Sequence, residues 1–280
     1  MKIADYRLYP ILTSYFRLDG GAMFGIIPKT LWNKKMPSDE KNRIQMVTRS
    51  LLLVSDDKKI LIDTGNGNKW HDKLKSIYEI DNSKVDLKSS LEKVGFTCED
   101  ITDVICTHLH FDHIGGNTKL VVGNIIPAFP NAKYWISQKN WEVANSPSEK
   151  DQGSFMEDDW KVLADNGMVN FINDNRENIP NIEFIFSDGH TPGMMLPVIS
   201  DENNTLVYCA DLVPTSSHIP LPWVMAYDVQ PMITITEKKE LYSKAIENDW
   251  ILYYEHDPDV IACTIKFDGK HFTKNKKINF

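Results

Sequence analysis

The sequence predicts an α/β protein whose strand ends carry the chemistry, and three observations lead there. Short apolar runs of buried-strand type alternate with stretches of helical spacing, four of those runs finish on His or Asp, and the composition (42% hydrophobic, 10% aromatic, 25% charged) is that of an ordinary globular chain. At 280 residues the chain can bury a sizeable core, and one domain over 1–280 is expected.

The first element is a hairpin over residues 44–63. Ile44 to Val54 reads as a strand, Ser55-Asp56-Asp57-Lys58 supplies turn chemistry, and Lys59 to Ile62 runs back into Asp63-Thr64-Gly65. Residues 85–94 carry Val85, Leu87, Leu91 and Val94 at helical spacing and stop at Gly95. Residues 102–106 form a short apolar strand that delivers the chain into Thr107-His108-Leu109-His110. Strands are then expected at 133–136, 182–186, 205–210 and 250–254, and helices from 138, over 154–166 and over 236–248. The lysine-rich end, 270–277, reads as a frayed surface tail.

Charge and cysteine usage remove several function classes. Lys+Arg 31 against Asp+Glu 39 gives −8, opposite to the basic footprint of a nucleic-acid binder. No window approaches the roughly 18 apolar residues of a membrane span, and residues 1–7 lack the apolar core of a secretory signal, so a cytoplasmic location is expected. Cys98, Cys106, Cys209 and Cys263 show no C-x-x-C pairing, which argues against a disulfide framework and a cysteine-held zinc.

The segment His108-Leu109-His110-Phe111-Asp112-His113 concentrates metal-ligand chemistry. Two histidines two residues apart on a loop can chelate one cation, and the following Asp and His turn to a neighbouring position. Further strand ends offer His190, Asp211 and His256. In the simplest allocation His108, His110 and His190 hold one metal, Asp112, His113 and His256 hold a second, and Asp211 bridges both. Two divalent ions per chain are expected, zinc foremost.

The run Thr107 to Asn117, followed by Gly189-His190-Thr191-Pro192-Gly193, Asp211 and His256, resembles the metallo-β-lactamase superfamily. Within it, the stretches Asp19 to Gly25, Pro28-Lys29, Trp32 and Trp223 to Asp228 resemble the YtnP-like N-acyl-homoserine lactonases. The resemblance implies an αββα sandwich, two mixed β-sheets packed face to face with helices on the outer faces. It implies a hydrolase that opens a lactone with a hydroxide shared by the two metals, Asp112 and Asp211 serving as ligands and in catalysis. It also suggests Asp63 as a carboxylate that orients a ligand histidine.

Residues 20–36, with Met23, Phe24 and Trp32, are expected to cover the active edge, and with Trp223 and Met225 to form an apolar wall for an acyl chain. Several lactonases of the superfamily place a tyrosine three residues after the bridging aspartate; here that position is Pro214. His218, the remaining histidine of a loop expected at the active edge, is the expected replacement donor to the substrate carbonyl. Rival readings on the same metals are a phosphotriesterase or aryl esterase and a glyoxalase II-type thioesterase. The expected partner is a small lactone or ester, with no nucleic acid and no membrane, and homodimerisation is left open.

Overall fold

The computed structural model describes residues 1–173 and 179–280, which gather into two compact units, one of 1–16, 47–173 and 280 and the other of 17–46 and 179–279. Two mixed sheets with accompanying helices make up the α+β architecture. No helix among the described residues is long and apolar enough to cross a membrane.

The first unit is built on a seven-stranded sheet in the order Lys2–Ile3, Tyr6–Asp19, Arg43–Val54, Lys59–Ile62, Asp103–Ile105, Lys133–Ser137, Val169–Ile172. The hairpin forms as its turn residues dictate: Ser55 N–H donates to Lys58 O at 2.9 Å, which sets Leu51 opposite Ile62. The last three strands run parallel to Lys59–Ile62, and parallel pairing requires a crossover. The helix Leu87–Lys93 lies within the first such crossover; Asp86 caps it by accepting from Ser89 N–H at 3.0 Å. Leu52, Leu61, Val104, Tyr134 and Ile136 from the strands pack with Leu91, Ile101 and Leu163 in one buried cluster.

The second unit carries a six-stranded sheet in the order Ile182–Ser187, Met194–Ser200, Thr205–Tyr208, Ile251–Tyr253, Ala262–Phe267, Phe272–Ile278. The one parallel pair among its described strands sets Leu206 opposite Ile251, and the helix Pro231–Glu247 makes the crossover. That helix buries Thr234, Lys238, Leu241, Tyr242 and Ala245, one stripe at helical spacing that includes a lysine.

Three local expectations are corrected. Residues 270–277 are not a frayed tail: Phe272–Ile278 is an edge strand paired antiparallel with Ala262–Phe267, and its lysines line an exposed edge, where charge discourages further pairing. The helix expected over 236–248 starts at Pro231, because proline suits the first helical position. Residues 154–166 hold a 3-10 turn, Glu157–Asp159, and a separate short helix, Lys161–Asp165, because Asp159 turns inward to pair with Lys69 at 3.0 Å. Residues 20–36 contain two short helices, Gly20–Phe24 and Lys29–Trp32. They are joined through Gly25, whose φ of 53° is left-handed and where a Cβ would stand 2.7 Å from Val224 O.

Candidate metal centre

In the first unit two neighbouring parallel strands end together, and their ends are tied by one carboxylate. Asp63 follows Ile62 in a left-handed conformation, φ 55°, and its N–H donates to Ile105 O at 2.9 Å. Its Oδ1 accepts from Thr107 N–H at 2.8 Å, and its Oδ2 accepts from the Thr107 hydroxyl at 2.7 Å and faces His113 Nδ1 at 3.0 Å. Since the Thr107 hydroxyl spends its proton on Asp63, His108 Nδ1–H is the donor across the 3.1 Å to Thr107 Oγ1. This fixes the tautomers: His108 and His113 each keep a lone pair on Nε2.

The motif is held from several sides. Leu109 N–H donates to Asn140 Oδ1 at 2.8 Å, and the His113 carbonyl accepts from Thr64 and Gly65 N–H at 2.7 and 3.1 Å. Phe111–Ile114 forms a single helical turn that begins at His110 and displays Asp112 and His113. The loop after Asp63 lies against it so closely that a Cβ on Gly67, φ +64°, would be 2.1 Å from Gly115 O. His108, His110, Asp112 and His113 are all buried. His108 Nε2 and His110 Nδ1 converge to 3.1 Å.

In the second unit, the strand Ile182–Ser187 delivers Asp188-Gly189-His190, and the helix Pro231–Glu247 anchors that turn. Glu237 accepts from Ser187 Oγ–H at 2.7 Å and from the N–H groups of Asp188 and Gly189 at 2.6 and 3.2 Å. Asp211 follows Thr205–Tyr208 in a 3-10 turn, and His256 follows the adjacent parallel strand Ile251–Tyr253. Asp211 faces both histidines: its Oδ2 lies 3.1 Å from His190 Nε2 and its Oδ1 lies 3.2 Å from His256 Nε2. Asp228 holds the other nitrogen of His190, with Oδ1 3.0 Å from Nδ1. Burial disfavours protonating His190, but Asp211 and Asp228 outweigh it and raise its pKa to about 9, the mark of a strongly basic imidazole.

These donor sets fit divalent cations. Bonds of about 2.0–2.1 Å in a tetrahedral zinc site place neighbouring ligand atoms roughly 3.3 Å apart. The 3.1 Å His108–His110 pair and the 3.1 and 3.2 Å contacts of Asp211 match that edge. Imidazoles whose second nitrogen is held by a carboxylate or hydroxyl are typical of metal ligands.

The apolar residues expected to face substrate pack among themselves in the second unit. Phe24 stacks on Trp32 with centroids 5.5 Å apart, stacks on His218 at 4.5 Å and meets Trp223 edge-on at 5.5 Å. Met23, Phe24, Trp32 and Met225 are buried, and Trp223 is half-buried. His218 has both ring nitrogens engaged, Nδ1 with Thr215 Oγ1 at 2.8 Å and Nε2 with Met23 O at 2.9 Å. Burial pushes its pKa down to about 4. The expectation that His218 donates to a substrate carbonyl is therefore corrected: its N–H is spent on the segment carrying Met23, and it acts as a strut. Pro214 also has a role, its carbonyl accepting from His256 N–H at 3.2 Å.

Comparison with known proteins decides the family. A family model described as "Metallo-beta-lactamase superfamily" matches residues 45–256. The chain belongs to this superfamily. Among curated metallo-β-lactamase relatives, an N-acyl homoserine lactonase of Bacillus cereus is 29% identical over 117 residues, which is 42% of this chain and 40% of the relative. The match thus spans about two fifths of that relative's length. Among solved structures, a probable metal-dependent hydrolase from Staphylococcus aureus superposes with a TM-score of 0.89 at 27% identity, each chain covered fully. The dizinc quorum-quenching lactonase AidC, in complex with the product N-hexanoyl-L-homoserine, superposes with a TM-score of 0.81 at 22% identity, over 100% of this chain and 97% of the other. The superfamily's fold is therefore that of this chain.

Four residues that shape the donor sets escape a reading of the sequence. Thr107 sets the His108 tautomer, Asn140 pins Leu109, Asp228 orients His190 and Glu237 anchors the His190 turn. Asp228 closes the stretch Trp223 to Asp228 that resembles the lactonases, yet nothing local ties it to a histidine 38 residues earlier.

Proposed function

We propose that the protein opens the ring of N-acyl-homoserine lactones as a dizinc hydrolase. The observation that carries this reading is Asp211, whose two oxygens face two different imidazole nitrogens, His190 Nε2 and His256 Nε2. A carboxylate placed in this way could be shared by two cations. In this proposal His108, His110 and His190 would hold one ion, Asp112, His113 and His256 would hold the other, and Asp211 would serve both. When bound, two such ions supply Lewis acidity and a water acidified toward pH 7.

The chain's own residues do the rest. Asp63 and Asp228 keep His113 and His190 in the tautomer that leaves Nε2 able to coordinate. The lactone substrate is supported by the lactonase relative of Bacillus cereus and by the product complex of AidC.

The test is a side-by-side assay of zinc-loaded protein against N-acyl-homoserine lactones of several chain lengths, paraoxon, aryl esters and a glutathione thioester, with metal content measured by elemental analysis. Ring opening releases a proton, which an indicator dye reports. Two equivalents of metal with proton release on the lactones is the expected outcome. Turnover of paraoxon or aryl esters without lactone opening would shift the assignment to the phosphotriesterase or esterase reading.

A further inference from the structure

We propose that the first unit carries a second ligand site, independent of the reaction proposed above: a cavity that takes a medium-chain aliphatic carboxylate. The cavity has a volume of about 210 Å³ and lies wholly within the first unit. None of the residues lining it is among the proposed metal donors. It sits where the start of the helix Leu87–Lys93, the 3-10 turn Cys98–Asp100 and the strand Thr118–Val121 come together.

The wall is mostly apolar, for a reason that the residue names conceal. Leu87, Cys98 and Ala128 line it; Ala128 is buried, and Leu87 and Cys98 are half-buried. Burial first, and then the Glu99 charge, raise the Cys98 thiol pKa, so the sulfur stays neutral and behaves as a small hydrophobe. Three threonines also line the cavity, but their hydroxyls are committed. Thr13 donates to Thr48 O at 3.0 Å, Thr64 to Asn117 Oδ1 at 3.1 Å and Thr118 to Asp158 O at 2.8 Å. The Asn82 side-chain N–H likewise donates to Gly67 O at 2.7 Å. A sugar would leave most of its hydroxyls unpaired on such a wall, whereas an alkyl chain needs no partner. At about 30 Å³ per water-sized group the volume admits about seven groups, the length of a medium chain.

Charge decides the head group. Lys88 and Lys119 both line the cavity, and the charges of both reach Cys98. Lys88 is exposed and lies 3.9 Å from Glu92 Oε1, a loose pair. Lys119 is half-buried and forms no ion pair among the described residues. The lining carboxylate, Asp86, is occupied as a helix cap and accepts from Ser89 N–H at 3.0 Å. An unpaired ammonium beside an apolar chamber selects an anion that carries an alkyl tail.

Iodoacetamide alkylation of the zinc-loaded protein, followed by peptide mass spectrometry, reads the cavity through Cys98, because the other three cysteines are buried. A local readout is needed, since a carboxylate can also meet metal ions. Saturating octanoate should slow alkylation of Cys98 at least about fivefold, as expected of a ligand that covers the thiol. The half-protecting concentration should fall about fourfold per methylene from butanoate to octanoate and then level off at decanoate, once the cavity is full. Lys119→Glu should raise that concentration about fivefold to tenfold for octanoate and less than about twofold for octanol, which is neutral and equally long. Leu87→Trp, which fills the cavity, should abolish protection by both. No protection of Cys98 in wild type would overturn the proposal. So would equal responses of octanoate and octanol to Lys119→Glu, protection unrelated to chain length, or protection that persists in Leu87→Trp. Should Leu87→Trp fail to fold, the chain-length series and Lys119→Glu decide the matter without it.

Discussion

Replacing Lys238 by Met should destabilise the second unit far more than a change on a helix surface. Lys238 is fully buried on the core stripe of Pro231–Glu247. Its ammonium donates to the carbonyls of His218 at 2.6 Å, Pro220 at 3.1 Å and Trp223 at 3.1 Å, with Leu221 O at 3.5 Å. Burial pushes its pKa down to about 7, and the ring of carbonyls is what holds a cation there at all. The segment thus gathered, 218–223, carries His218 and leads to Asp228, which orients His190.

Methionine fills nearly the same volume but donates nothing. Three close charge-assisted bonds at about 1.5–3 kcal/mol each are lost, while the cost of burying a charge, several kcal/mol, is returned. The net expectation is about 2–4 kcal/mol. Urea unfolding of the metal-free proteins, followed by far-UV circular dichroism, measures it as a lowered midpoint with an unchanged slope. A difference below about 0.5 kcal/mol would refute the reasoning, since it would mean that the carbonyls find water as good a partner as Lys238.

Other outcomes follow from the same contacts. Asp228→Asn should weaken metal binding by about 10- to 100-fold, measured by competition with a chromogenic chelator, because the His190 tautomer is no longer imposed. His218→Phe should retain the stack on Phe24 yet lose both hydrogen bonds, lowering stability by about 1–3 kcal/mol while kcat of the folded enzyme changes less than tenfold. Its pH dependence has a definite sign. His218 takes a proton near 6.5 when unfolded and near about 4 when folded, so wild-type stability falls as pH drops from 6.5 to 4, and this component should be missing from His218→Phe. Gly67→Ala should cost stability through both a left-handed φ and a clash with Gly115 O, seen as a lowered melting temperature.

Much was legible in the sequence because it was written locally. The hairpin over 44–63 was readable from its turn residues and apolar runs, and His108, His110, Asp112 and His113 from spacing within a single loop. The second unit hid more. Its pieces, 17–46 and 179–279, are separated in the chain by most of the first unit, so no linker announces a boundary. The edge strand Phe272–Ile278 looked frayed because its lysines carry no apolar signal, and only pairing with Ala262–Phe267 makes it a strand.

The sequence by itself determined the imidazole and carboxylate groups and the strand ends that carry them, since the chemistry of these groups and a short-range motif do not depend on distant contacts. Tertiary structure alone decided which nitrogens of His108, His113 and His190 are engaged by these neighbours, and that both nitrogens of His218 are spent. Thr107 and Asp63 set His108 and His113, Asp228 set His190, and Met23 with Thr215 consumed His218. The reason is physical: a hydrogen bond extends about 3 Å, and the residues that form these bonds lie up to 195 positions apart, so their partnership exists only once the chain has folded.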